Sequence, residues 1–116
     1  MIKSILNAPH YLWGDHCEGW QLCLADNLSV IQENMPPGTK EQMHFHQRCL
    51  QVFYILQGTA CFYLDQDYYE VNAGESIQIL AGQKHYVQNT TEEDLKFLVI
   101  SQPSTHRPPI DRVNID

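Results

Sequence analysis

The 116-residue sequence is poor in basic residues, with seven Lys and Arg against 14 Asp and Glu and a formal net charge of −7. It contains no cluster of Lys or Arg that could follow a phosphate backbone. This absence argues against nucleic acid and anionic membrane surfaces as partners. Long apolar runs are also lacking, so no membrane-spanning segment is predicted. The N-terminal stretch MIKSILNAPHYLWGDH is interrupted by Pro, His and Asp before it reaches signal-peptide character, and we therefore expect a cytoplasmic protein.

The cysteines lack the C-x-x-C spacing of zinc ribbons and thioredoxin-type motifs. We interpret the four of them mainly as reduced, buried, small side chains: Cys17, Cys23, Cys49 and Cys61. The length fits one domain covering residues 1–116, and no linker, repeat or low-complexity segment divides it.

Helical periodicity is scarce, whereas short runs rich in Val, Ile, Phe and Tyr recur between turns. The pattern predicts an all-β fold, either a sandwich or a barrel. The expected strands are residues 20–25, 28–35, 42–46, 51–57, 60–65, 68–72, 76–80, 85–89 and 95–101. The stretch LDQDYY is typical of a hairpin. Prolines at 103, 108 and 109 exclude a central strand from the C-terminal stretch, which we expect to be an extended tail lying on the domain or on a partner.

The stretch HFHQRCLQ indicates half of a metal site. His44 and His46 lie two apart in a predicted strand, so both imidazoles point to the same face. Gln51 opens the next strand and returns beside them through a short turn. Alternation places Phe53 on the same face as Gln51 and Tyr54 on the other.

The wider spacing resembles the two sequence motifs of the cupin family, from Gly38 to Asn89. Glycine 38 is followed by five residues, His44-x-His46, four residues, Gln51, six residues and Gly58. The second motif is similar at Gly74, Gly82, His85 and Asn89. The resemblance implies a jelly-roll β-barrel, with motif core 38–89, that holds one divalent metal ion through His44, His46, Gln51 and His85. Two departures stand out: Gln51 occupies the position of a Glu ligand, and Leu80 that of a Pro.

Three imidazoles and one amide oxygen suit Zn, Ni, Fe, Mn or Cu. Because no ligand is negative, the ion keeps its full charge and favours a small anionic ligand. Two alternatives stay open. Gln51 is the first lost ligand of a degenerate site, or Cys49 supplies a thiolate in its place.

The resemblance implies a metal-dependent enzyme acting on a small oxygen-rich anion, by isomerase, cyclase, lyase or dioxygenase chemistry. One alternative is a non-catalytic cupin that binds a sugar or sugar acid. A second is a uronate-linearising enzyme, which has a similar His-His-Gln-His set; such enzymes need an Asp two residues before a Phe on the last strand and an Arg after it. Here Leu95 precedes Phe97, and Ser101 follows. The stretches QVFYILQG and FLVISQPSTH also resemble small cupins labelled mannose-6-phosphate-isomerase-like.

The sequence does not identify the catalytic acid or base. Phe53, Tyr54 and Tyr63 are the expected pocket residues, and Tyr54, Tyr63 or His106 is an acid or base if the fold aims it inward. Glu33, Glu41 and Glu70 cannot be placed from the sequence. His10, His16 and His106 lack comparable partners and are expected to be exposed or structural. The aromatic stretch HYLWGDHCEGW and the proline-rich tail predict a homodimer, because so small a barrel can hardly cover both.

Overall fold

The computed structural model describes residues 1–116 and contains strands but no helix. The strands are β1 His10–Trp13, β2 Cys17–Leu24, β3 Ser29–Met35, β4 His44–His46, β5 Leu50–Gln57, β6 Thr59–Leu64, β7 Asp67–Asn72, β8 Ser76–Ile79, β9 His85–Gln88, β10 Leu95–Gln102 and β11 Arg112–Asn114. Nine of them correspond to the nine predicted runs, with shifts of a few residues at the ends. The all-β prediction is therefore confirmed.

Two antiparallel sheets form the barrel. One has the strand order β1-β2-β3-β10-β5-β8, and the other β11-β4-β9-β6-β7. Alternation along each strand sends every second side chain inward, as in β10, where Leu95, Phe97, Val99 and Ser101 are buried. The sheets meet through aromatic rings: Phe53 on β5 lies 5.0 Å from Phe62 on β6, centroid to centroid.

The turns follow the motif glycines and the predicted hairpin. Glycines 38, 58, 74 and 82 all have positive φ, between 79° and 86°. At Gly58 a side chain would also approach the carbonyl of Asp94, so the position requires glycine. Strands β6 and β7 form the LDQDYY hairpin, with Asp65 and Gln66 both at positive φ as a two-residue I′ turn requires.

Two strands were not predicted. Strand β1 is a four-residue edge strand on β2, too short to give a clear alternating pattern. Strand β11 lies after the prolines and pairs with β4 at one edge of the five-stranded sheet. The prolines do exclude a central strand, but the tail is not wholly irregular, since β11 adds backbone hydrogen bonds beside His44 and His46. The tail lies on its own domain.

No helix of the structure is long and apolar enough to cross a membrane.

Candidate metal centre

Three buried histidines meet inside the barrel. His44 and His46 project from one face of β4, and His85 on β9 is the cross-strand partner of His44. One ring nitrogen from each histidine lies within 4.8 Å of the other two. All three are at most 4% exposed, so bulk water does not reach them freely.

The second ring nitrogen of each histidine is held by the protein. Nδ1 of His44 contacts the Gln42 carbonyl oxygen at 2.8 Å, and Nδ1 of His85 contacts that of Gln83 at 2.9 Å. Carbonyl oxygens only accept hydrogen bonds, so both Nδ1 atoms donate and both Nε2 atoms keep a lone pair. Fixing one nitrogen to orient the other is how proteins arrange imidazoles around a metal ion.

Gln51 is oriented in the same way by a neighbouring strand. Its Nε2 donates to the Ser101 hydroxyl, 3.0 Å away on β10. Its Oε1 is buried and has no hydrogen-bond partner, and the same holds for Nε2 of His85. Two buried lone-pair atoms without donors are costly. A divalent metal ion fits the chemistry of these residues, because the three imidazoles and the amide oxygen are donor atoms for such an ion and two of them have no hydrogen-bond partner.

Burial keeps the imidazoles neutral. It lowers the pKa of His44 to about 2, with help from the nearby charges of His85 and Arg112, and the pKa of His85 to about 4. Burial also lowers the pKa of His46, although the carboxylate of Asp111 opposes the shift. Neutral imidazole is the metal-binding form, so these residues need not lose a proton to bind a metal near neutral pH.

A cavity of about 140 Å³ adjoins the histidines. Phe53 forms part of its apolar wall. Its polar lining includes Glu33, Glu41, His106 and Arg112. Burial raises the pKa of Glu33 to about 8 and that of Glu41 to about 7. Arg112 lies 3.6 Å from the Glu41 carboxylate and opposes the latter shift.

Glu33 could not be placed from the sequence, because burial along β3 does not alternate at this point: Asn34 and Met35 are both buried. The structure places the Glu33 carboxyl at the cavity wall, at the position two residues after the buried Ile31. His106 reaches the cavity from the tail and is partly buried. The expectation that His106 is exposed is therefore wrong, because the tail folds over the cavity. Glu41 and Arg112 lie in irregular or edge segments that no periodicity marks.

Other expected site residues lie outside this cavity. Tyr54 is 40% exposed on the outer face of β5, opposite the Gln51 side. Tyr63 stacks on Tyr86 with ring centroids 5.1 Å apart and lines a separate surface depression.

The Cys49 thiol is buried, donates to the Leu50 carbonyl and has a pKa raised to about 11 by burial. It is a poor source of thiolate. All four cysteines are free, but only Cys17 and Cys49 are buried; Cys61 is partly buried and Cys23 is exposed.

Asp111 connects the tail to the metal centre. One carboxylate oxygen contacts Nδ1 of His46 at 3.0 Å, and the other accepts hydrogen bonds from the backbone amides of Arg48 and Cys49, both at 3.0 Å. Burial alone would raise the pKa of Asp111, but these contacts outweigh it and lower the pKa. Asp111 therefore remains a carboxylate and orients the third imidazole as the carbonyls orient the other two.

We expect Asp111→Asn to weaken metal binding by about 10- to 100-fold, the usual cost of losing a partner of a metal-ligating histidine. The amide nitrogen of Asn cannot accept a hydrogen bond, so it could not replace the oxygen that faces the two backbone amides or the one that faces the His46 ring. In either orientation His46 would be held less firmly. Competition against a chromophoric zinc chelator measures the change. The control is Asp67→Asn, at an exposed position on β7. Equal affinities for the two variants would show that Asp111 does not orient His46.

Comparisons with known proteins agree with this architecture. The chain is 30% identical over 66 residues to the oxalate-binding protein of Thermotoga maritima, a match covering 57% of this chain and 54% of that protein. The curated relatives are matched over about half of their length.

Two solved structures share the fold. A predicted oxalate decarboxylase from Thermotoga maritima has a TM-score of 0.81 at 21% identity, covering 90% of this chain and 100% of that one. The Lactobacillus farciminis oxalate decarboxylase in its formate complex has a TM-score of 0.75 at 19% identity, covering 93% and 33%. The family model described as "Cupin domain" matches residues 31–101, more than half of the sequence. With two antiparallel sheets enclosing three histidines at the motif positions, this chain belongs to the cupin superfamily.

Proposed function

We propose that this cupin is a metal-dependent enzyme that acts on a small oxygen-rich anion, with one divalent ion held by His44, His46, Gln51 and His85. The observation that carries the proposal is the pair of buried, unpartnered atoms, Oε1 of Gln51 and Nε2 of His85. Both belong to side chains whose other polar atom is already fixed by the protein. An ion bound by both atoms would explain why the fold tolerates them.

The charge balance of this site supports an anionic ligand. The four proposed ligands are three neutral imidazoles and an amide, so none of them carries a negative charge to offset that of the ion. Four protein ligands on a six-coordinate ion leave two positions, which a bidentate anion fills. When bound, the ion supplies Lewis-acid polarisation of a carbonyl or carboxylate. Arg112, at the cavity wall, offers a second cation to the same ligand.

The size of the cavity limits the ligand. The inner space of about 140 Å³ suits a molecule of a few carbon atoms. A second space of about 360 Å³ opens beyond it, and the two share Glu33, Glu41, His106 and Arg112 in their linings. Trp13 and Lys40 line the outer space. An oxalate-sized anion would fit the inner space alone. A sugar acid would place its carboxylate near the ion and its larger body in the outer space, so both are candidate ligands.

The names of the similar proteins point to the same class of ligand. The Thermotoga maritima relative is named for oxalate binding, and the Lactobacillus farciminis enzyme was solved with formate. The first name also favours the second candidate, a cupin that captures an anion without turnover. Turnover distinguishes the two, and the carboxyls of Glu33 and Glu41 at the cavity favour the enzyme, since proton transfer needs such groups.

The narrower alternatives receive less support. A uronate-linearising activity would require an acid on the last long strand beside the site. Leu95 and Phe97 are instead fully buried among apolar side chains. The likeness to mannose-6-phosphate-isomerase-like cupins remains a prediction, because that label describes a fold more than an activity.

Elemental analysis of the purified chain, followed by a ligand screen, tests the proposal. We expect one divalent ion per chain and saturable binding of oxalate or a sugar acid by calorimetry, with chemical change of one screened anion seen by NMR. Binding without any conversion would favour the capture protein. Absence of metal even after reconstitution with Zn, Ni, Fe, Mn and Cu would contradict both candidates.

The homodimer remains a prediction about the N-terminal edge of the large sheet. Leu12 on β1 is 70% exposed and Leu6 is 91% exposed, and β1 has a free edge. Isologous pairing would cover these residues. We expect sedimentation at micromolar concentration to give twice the chain mass, and Leu12→Glu to give the monomer. A monomeric wild type would exclude the dimer.

A further inference from the structure

A row of three residues crosses the large sheet next to the metal centre. Tyr11 on β1 is the cross-strand partner of Gly19 on β2, and Gly19 is the partner of Glu33 on β3. The Tyr11 hydroxyl donates to Oε2 of Glu33 at 3.0 Å. A tyrosine thus reaches across an entire strand to hold a carboxyl at the cavity wall.

Gly19 makes this reach possible. A Cβ at position 19 would overlap the ring of Tyr11. The missing side chain therefore forms the slot in which the ring lies. Burial and the charge of Glu33 raise the pKa of Tyr11 above its ordinary value, so the hydroxyl stays a hydrogen-bond donor.

Glu33 is unusual among the carboxyls of this chain. Its cross-strand partner on the other side is Phe97, which is fully buried, so it occupies a core-facing position. It lines both the inner and the outer cavity. Its only hydrogen bond to another side chain comes from Tyr11, which leaves the other carboxyl oxygen available to a ligand. Glu41, by comparison, is engaged by Arg112 and the Val87 amide.

We propose that Glu33 is the catalytic acid and base of this site, that Tyr11 positions it, and that the reaction it serves is a proton shift next to a carbonyl group. This inference rests on the proposed function. The Glu33 carboxylate accepts a proton from a carbon adjacent to the carbonyl carbon. The electron pair left behind forms the C=C bond of an enolate, and the π pair of the carbonyl moves onto its oxygen. Glu33 then returns a proton to carbon. The substrate is isomerised, or its carbon-bound hydrogen is exchanged with solvent, with no net oxidation, so no co-reactant is needed.

The raised pKa of Glu33 supports this role without carrying it, because a carboxyl that titrates near neutral pH can both give and accept a proton. The charged or titratable groups around it are Tyr11 from β1, Cys17 from β2, Lys40 and Glu41 from the segment before β4, His44 and His46 from β4, His106 from the tail and Arg112 from β11.

Deuterium exchange tests the proposal without a known substrate. Metal-loaded protein is incubated in D₂O with pyruvate or galacturonate, and loss of the C–H signal beside the carbonyl is followed by proton NMR. We expect the wild type to catalyse exchange in at least one probe and Glu33→Gln to slow it by about 100-fold or more. The Gln side chain can still accept a hydrogen bond from Tyr11, so folding and metal content should be retained. Glu70→Gln, at an exposed position on β7, is the control.

Tyr11→Phe and Gly19→Ala separate positioning from structure. The Tyr11 hydrogen bond stabilises the carboxylate form of Glu33. Its loss therefore raises the pKa of Glu33, and we expect the rise of the exchange rate with pH to move to higher pH in both variants. A structural role for Tyr11 would lower the rate at every pH without moving the profile.

The outcomes separate this inference from the proposed function. Equal exchange in the wild type and Glu33→Gln overturns the role of Glu33. No exchange by a metal-loaded wild type that binds oxalate overturns the proton shift but leaves the metal-dependent anion site in place. A wild type that takes up no metal defeats the proposed function itself.

Discussion

Replacing His44 and His85 together by Ala should abolish metal binding. The two rings lie 4.3 Å apart, centroid to centroid, and supply two of the four donor atoms. Metal that binds only the folded chain also stabilises it, by about 2.7 kcal/mol at a free concentration 100-fold above the dissociation constant. We therefore expect added metal to raise the melting temperature of the wild type by roughly 10 °C and to leave that of the double variant unchanged.

Both histidines are buried, so the double variant must be shown to fold, by circular dichroism of the metal-free proteins. The matched control replaces His10 and His16, which are exposed and do not belong to the group of three buried histidines. Its metal content and thermal shift should equal those of the wild type. Full metal content in the folded double variant would place the ion elsewhere.

The substitution Gln51→Glu should hold metal at least as tightly as the wild type but bind anions more weakly. It adds one negative charge beside the ion, and the Ser101 hydroxyl can donate to it in place of accepting from the amide. At a separation of 4 Å and an effective dielectric of about 20, repulsion of a bound anion is about 4 kcal/mol before screening. We expect oxalate affinity to fall by roughly 30- to 300-fold, and metal-bound water to become less acidic.

The matched control is Gln78→Glu, which adds the same charge at an exposed position on β8. Calorimetric titration of the three metal-loaded proteins with oxalate gives the comparison. Equal affinity in the wild type and Gln51→Glu would mean that the neutral amide has no functional role. The interpretation of Gln51 as the first lost ligand of a degenerate site would then gain support.

The fold was predictable because alternation dominates this sequence. Strands such as β10 bury every second residue, and the motif glycines stand at turns that require positive φ. The convergence of His44, His46 and His85 also follows from local rules together with the resemblance: two positions on one strand face, and a third residue on the neighbouring strand.

The remainder of the site depends on long-range packing that spacing does not encode. His106 and Asp111 reach the metal centre because the tail returns to pair with β4, although His46 and Asp111 are 65 residues apart in the sequence. The row from Tyr11 to Glu33 needs the register of three strands. The expectation that Tyr54 lines the pocket was wrong and could have been avoided, because alternation already placed Tyr54 on the strand face opposite that of Gln51. Tyr63 faces a surface depression beside β9, which the sequence could not distinguish from the cavity.

Anomalous diffraction from crystals of the metal-loaded protein grown with oxalate locates the ion. We expect one peak per chain, at about 2.0–2.3 Å from Nε2 of His44, His46 and His85 and from Oε1 of Gln51, with oxalate occupying the two remaining positions. A peak outside this group, or a loaded site in which the Gln51 oxygen remains unbound, would contradict it.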